Sequence, residues 1–187
     1  MNLTRKREEM AKLNTESLLL KTDPEKIRET ENKIKENASK VDEIVQRLVD
    51  DYAKPLDQYI EQCTQIITDQ QNPPTDEELD DMCMTIPCYL YFTGEGQEAL
   101  GLREDIAKAI KMELYNNAYE QATGTIADKT ATAELASQHE FIIHSCYQRA
   151  YKQLKIKYEI GLELLNSIKK VISRRQNALN LTGRAHN

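Results

Sequence analysis

Residues Ile143 to Ile172 read IHSCYQRAYKQLKIKYEIGLELLNSIKKVI, a run with no proline and a single glycine, Gly161. Apolar or small side chains recur at Ile143, Tyr147, Ala150, Leu154, Tyr158, Gly161, Leu165 and Ile168, mostly three or four positions apart. That spacing lines one face of an α-helix, because residues three and four apart lie above one another on the helix surface. Between Tyr147 and Tyr158 the steps run three, four, four, a local eleven-residue repeat that unwinds a left-handed supercoil. No proline follows Pro87, and Gly161 is the only glycine between Gly124 and Gly183. The reading is one very long C-terminal helix from about Ile126 to Leu179, roughly 80 Å at 1.5 Å per residue. Such a helix needs other helices, from its own chain or another subunit, to cover its stripe, and the expectation is an oligomer held by this helix with Leu165 and Ile168 in the buried seam.

Upstream, Gly124 closes a helix over about Gln97 to Ala122, and Thr125 with Asp128 offers a capping box for the next one. The preceding helix carries Leu100, Ile106, Ile110, Leu114, Ala118 and Ala122 on one face. Thr85 to Phe92, TIPCYLYF, is the one apolar, aromatic run that reads as extended. With no partner strand it is a buried connector, ended by Gly94 and Gly96. Asn72-Pro73-Pro74 breaks the chain, and Thr75 with Glu78 caps a short acidic helix through Leu79 and Met82. Before that break, Asp23-Pro24 starts a helix with Ile27, Ile34, Ala38, Val41, Val45, Leu48 and Tyr52 on a seven-residue seam, interrupted by Glu31. Pro55 kinks or restarts it. The resulting layout is all-α, a helical bundle or coiled coil. Residues 1–22 form a tail or loose helix, 23–72 an N-terminal helical region, 73–96 a linker with a short helix, and 97–187 a helical hairpin with the long C-terminal helix.

Composition agrees with long helices. Of the 187 residues, 30% are charged and only 6 are glycine and 5 proline. The sequence contains no apolar run near the length of a membrane span and no signal-peptide core, which places the chain in the cytoplasm (the host cytoplasm if phage-encoded). Cys63, Cys83, Cys88 and Cys146 have no framework spacing and read as reduced thiols. Cys83 and Cys88 lack a second ligand pair for zinc, and no metal or other cofactor is called for. The acids Asp76, Glu77, Glu78, Asp80 and Asp81 sit where a helix dipole favours negative charge. Gly94-Glu95-Gly96 lacks the strand and the Lys-Ser/Thr pair of a phosphate loop. No nucleophile, base and orienter come together, so the chain reads as non-enzymatic.

The net charge of −6 is unevenly spread. From Phe141 to Asn187 nine Lys or Arg face two acids, so this arm is +7 and residues 1–140 carry −13. Tyr147, Tyr151 and Tyr158 interleave there with basic residues, the combination that single-stranded nucleic acid binding uses: bases stack on rings while cations meet phosphates. Tyr147 and Tyr158 fall on the apolar seam and read as core; Tyr151 lies at its edge. The candidate nucleic-acid residues are Lys169, Lys170, Arg174 and Arg175, with Tyr151, Lys152 and Lys155. A solvated helix face, with basic residues complementing the helix C-terminus, accounts for the same charges.

Three segments, Tyr147–Lys155 (YQRAYKQLK), Leu164–Ile172 (LLNSIKKVI) and Arg174–Leu179 (RRQNAL), together resemble the C-terminal helix of the UvsY-like recombination mediators of tailed phages. Tyr115, Tyr119 and the Gly124 turn match the layout before it, and the likeness covers about 90 residues. The resemblance implies a homo-oligomer that binds single-stranded DNA and helps load a recombinase. Arg174 and Arg175 match the family's C-terminal arginine, and Lys169 and Lys170 the basic residues before it. The other class the sequence admits is a structural or adaptor coiled-coil protein, an assembly component whose basic arm docks on an acidic protein partner.

Overall fold

The computed structural model describes residues 23–184, with side chains described as far as Ala178; the expected 1–22 tail lies outside the described residues. Among them are four helices and no strand: α1 (Pro24–Thr68), α2 (Asp76–Gln121), α3 (Ile126–Ala136) and α4 (Gln138–Arg184). The protein is all-α. The chain divides into two units, Met1–Glu43 and Ile44–Asn187, and α1 runs through the boundary.

In the first unit the described residues are the start of α1. Asp23 Oδ1 accepts from the Glu25 amide at 3.0 Å, the expected cap ahead of Pro24. Lys40 Nζ meets Glu36 Oε1 at 2.8 Å, four residues apart on the same face. The seam residues Ile27 and Ile34 are 41% and 62% exposed.

In the second unit the rest of α1, α2 and α4 run up-down-up, with the short α3 between α2 and α4 in the chain. Tyr59 Oη donates to Asp81 Oδ2 at 3.2 Å, while Thr93 Oγ1 donates to the Tyr52 carbonyl at 3.4 Å. Numbers that rise on α1 therefore fall on α2, so the pair is antiparallel. Gln97 Nε2 reaches Tyr151 Oη at 3.4 Å and Arg175 reaches Asp76, so α4 is antiparallel to α2 as well. The core joins Leu56 and Cys63 of α1, Leu79, Met82, Ile86 and Leu90 of α2, and Leu165 and Ile168 of α4. Each of these side chains is at most 6% exposed.

Three sequence expectations are corrected here. The 73–96 linker is not a linker beyond Thr75: α2 runs unbroken through Thr85–Phe92, Pro87, Gly94 and Gly96. Leu79, Met82, Ile86, Leu90, Thr93 and Leu100 make one helical stripe across all of them, and every one is buried. That burial offsets the roughly 3 kcal/mol of an internal proline and about 1 kcal/mol per glycine. Pro87 faces solvent, and Gly96 sits where the Tyr52 side chain crosses so closely that a Cβ would collide with it. Pro55 likewise lies inside a continuous α1.

The single helix from Ile126 to Leu179 is also corrected. Ser137 (φ −99°, ψ 9°) separates α3 from α4, and its hydroxyl donates to the Ala133 carbonyl at 2.9 Å. Serine bonding back to the carbonyl four residues earlier bends helices. Both expected capping boxes form: Thr75 with Glu78, and Thr125 with Asp128, the latter just after Gly124 at φ +112°. With 45, 46 and 47 residues, α1, α2 and α4 are of like length, and no single helix dominates.

The third correction concerns what covers the long stripe. Leu165 and Ile168 are buried by the chain's own α1 and α2, not left for another subunit. Gly161 allows this approach: a Cβ there would stand 2.8 Å from Leu90 Cδ2.

Candidate nucleic-acid interface

Basic residues of α4 point in different directions, because neighbouring positions are 100° apart around the axis. Lys157 turns inward, and its Nζ lies 2.5 Å from Asp57 Oδ2 on α1. Arg175 is also used within the fold. Its Nη1 donates to Asp76 Oδ1 at 2.6 Å and its Nη2 to the Pro74 carbonyl at 2.8 Å, so it fastens α4 to the start of α2. Of the sequence candidates it is the one committed to an ion pair across helices.

Lys152, Lys170 and Arg174 are exposed and fall within a narrow arc of the outer face, where Arg149 is exposed too. Lys152 and Lys170 lie about 27 Å apart along the axis. Between them the same face carries Ile156 and Ile160, 54% and 50% exposed, with Glu159 and Glu163 beside them. Lys155 is exposed at the flank, 4.0 Å from Glu159 Oε1 in an i,i+4 pair. Lys169, fourteen residues on from Lys155, is exposed on the same flank, close enough to Cys83 to oppose the upward push that burial gives that thiol.

Tyr151 does not join the outer face. Its ring lies over Gly101 of α2, where a Cβ would sit 3.3 Å from Tyr151 Cε2, and its hydroxyl accepts from Gln97. Tyr158 lies against Gly94, consistent with its place on the seam. The exposed basic face of α4 is thus Lys152, Lys170 and Arg174, with Lys155 and Lys169 to one side of it.

Sequence reasoning weighs His144 only with His139 and Cys146, as a catalytic Cys–His pair that it sets aside, and misses its burial against α2. His144 is 9% exposed overall, its Nε2 has no hydrogen-bond partner, and Glu104 Oε1 of α2 stands 3.8 Å away. A signal existed: His144 falls one position past the Ile143 seam, toward α2. The thiols are free; Cys63 and Cys146 are buried, and burial raises both above the ordinary thiol range. Cys83 and Cys88 sit on different sides of α2, and among the described residues no group of three His, Cys, Asp or Glu is placed to hold a metal. No helix among them is long and apolar enough to cross a membrane.

Comparison of the chain with protein-family models, with curated proteins and with solved structures finds no match in any of the three.

Proposed function

We propose that this is a non-enzymatic, oligomeric helical protein of the cytoplasm that binds single-stranded nucleic acid along the outer face of α4. In this reading it acts as a phage-type recombination mediator, presenting single-stranded DNA to a recombinase. The observation that carries it is the separation of the basic residues into two sets. Lys157 and Arg175 are paired with carboxylates of neighbouring helices, Asp57 and Asp76, whereas Lys152, Lys170 and Arg174 stand exposed along one face. Cations spaced along a rigid rod can meet separate phosphates of an extended strand, and binding follows from release of the strand's counterions. Ile156 and Ile160, between the two basic ends, supply apolar surface for a base. The acidic remainder of the chain repels a phosphate backbone and confines binding to this arm.

A second reading, an adaptor that docks on another protein, is favoured by α2. Tyr91 and Phe92 are 64% and 61% exposed and meet edge to face at 5.7 Å. Aromatic groups held in such a pair are the side chains that protein interfaces prefer. Fluorescence anisotropy of a labelled single-stranded oligonucleotide, titrated with the full chain at low and moderate salt, separates the two. Saturable binding that weakens steeply with salt supports the first; no binding at low salt leaves the adaptor.

A further inference from the structure

The C-terminal half of α2 has a face that neither α3 nor α4 covers. Leu102, Ile106, Ile110 and Leu114 are four residues apart in succession, and they are 63%, 50%, 47% and 38% exposed. α3 packs on another side, around Tyr115 and Tyr119, where Lys129 lies 5.9 Å from the Tyr119 ring. Beside this ridge Ile143 of α4, 38% exposed, forms the opposite wall of a groove of about 330 Å³ floored by Ala107.

The charges at the groove's two ends are opposite. Because α4 runs antiparallel to α2, with Lys111 over Phe141 and Glu104 beside His144, Arg103 and Tyr147 mark one end and Glu140 the other. Ile106, Ile110 and Ile143 lie between, over roughly 12 Å. A groove built for an acidic or a basic peptide would carry one sign. This one carries plus, apolar, minus, a pattern that matches itself when turned by 180°.

We propose that this groove is a two-fold interface with a second copy of the chain. The dyad passes between Ile106 and Ile110, so that Arg103 of each copy meets Glu140 of the other and the isoleucines fill the middle. A two-fold contact uses the same patch on both subunits, and only a self-complementary patch satisfies it. The ridge of residues four apart is also the element that interdigitates with its own kind in the commonest class of helix packing. The inference takes up the oligomeric part of the proposed function and is independent of its nucleic-acid part.

Sedimentation equilibrium of the full chain without nucleic acid tests it, using Arg103→Glu, Glu140→Arg and the double variant. The wild type is expected to dimerise at tens of micromolar. Each single reversal sets like charges against each other and should raise the dissociation constant about tenfold or more. The double reversal restores both pairs and should return it close to the wild-type value. All of these side chains lie at the surface, so circular dichroism should show unchanged helix content. A monomeric wild type, or a double variant no tighter than either single one, overturns the proposal. Ile106→Asp gives the second handle: a half-exposed site tolerates it in the monomer, and a dimer that survives it rules this face out.

Discussion

Arg175 holds Asp76 through a 2.6 Å bond from Nη1 while its Nη2 reaches the Pro74 carbonyl at 2.8 Å, so one guanidinium joins the late part of α4 to the first turn of α2. Its neighbour Arg174 is exposed, and the two adjacent arginines therefore have different work. Replacing Arg175 with Ala should lower stability in urea by about 0.5–1 kcal/mol, the range for a partly exposed ion pair with a neutral hydrogen bond added. Lysine should recover little, because it lacks the fork that spans both acceptors. An Arg175→Ala variant with unchanged midpoint would show the clamp to be worth nothing.

Gly94 and Gly96, two residues apart in α2, should respond to alanine with opposite signs. A Cβ at Gly94 meets only Tyr158 Cε2 at an ordinary 3.6 Å, so the helix-propensity gain, about 0.5–1 kcal/mol, remains. A Cβ at Gly96 would collide with the Tyr52 side chain, and overpacking of that kind costs about 1–3 kcal/mol, more than the gain. Thermal denaturation should place Gly94→Ala above the wild type and Gly96→Ala below it. The same order for both would contradict the packing of α1 on α2.

Leu165 and Ile168, expected from the sequence to hold subunits together, are inside the chain's own core at 6% and 2% exposure. Leu165→Ala should then cost about 2–5 kcal/mol of folding stability through the cavity it leaves. Aspartate at either position should unfold the packing of α1, α2 and α4 and not yield a folded monomer. A soluble, fully helical Leu165→Asp monomer would put that side chain at a subunit interface after all.

Alkaline pH should weaken the fold through Tyr59. Burial is the main reason its hydroxyl is pushed up to about 12, with the nearby Cys63 and Asp81 adding to the shift. The unfolded tyrosine ionises near 10, so below that pH the contribution is intact. It is lost as the pH rises from about 10 through 12, because the unfolded chain releases the proton first. Stability measured over that window should fall more steeply for the wild type than for Tyr59→Phe. Equal slopes would contradict the assignment.

Much of the helical content was legible because it is written in short-range patterns. Thr75 with Glu78, Thr125 with Asp128 and Asp23 ahead of Pro24 are capping signals complete within a few residues, and all three form. The α2 segment around Pro87 was misread because local propensity there opposes the helix. Only the contacts of Ile86 and Leu90 with α1 and α4 override it, and those come from residues far along the chain. Ser137 gave no breaking signal in a stretch without proline or glycine. The candidate interface was legible as charge but not as direction: nothing in the RR dipeptide says that Arg175 finds Asp76 while Arg174 stays outside. Tyr151 was legible as a residue at the edge of the seam, but its contact with Gly101 of α2 was not, because that neighbour is fifty residues away in the chain.

If nucleic acid lies along Lys152, Lys170 and Arg174, the salt dependence of oligonucleotide binding must change with Lys170 and Arg174. Anisotropy titrations over a range of salt concentrations should be run on the wild type, on Lys170→Ala/Arg174→Ala and on Arg175→Ala. The double variant should bind more weakly, with a salt slope shallower by about 0.7 per lost phosphate contact on a single strand. Arg175→Ala, already committed to Asp76, should keep the wild-type slope. A slope that changes with Arg175 and not with Lys170 and Arg174, or no binding by the wild type at low salt, would contradict that placement.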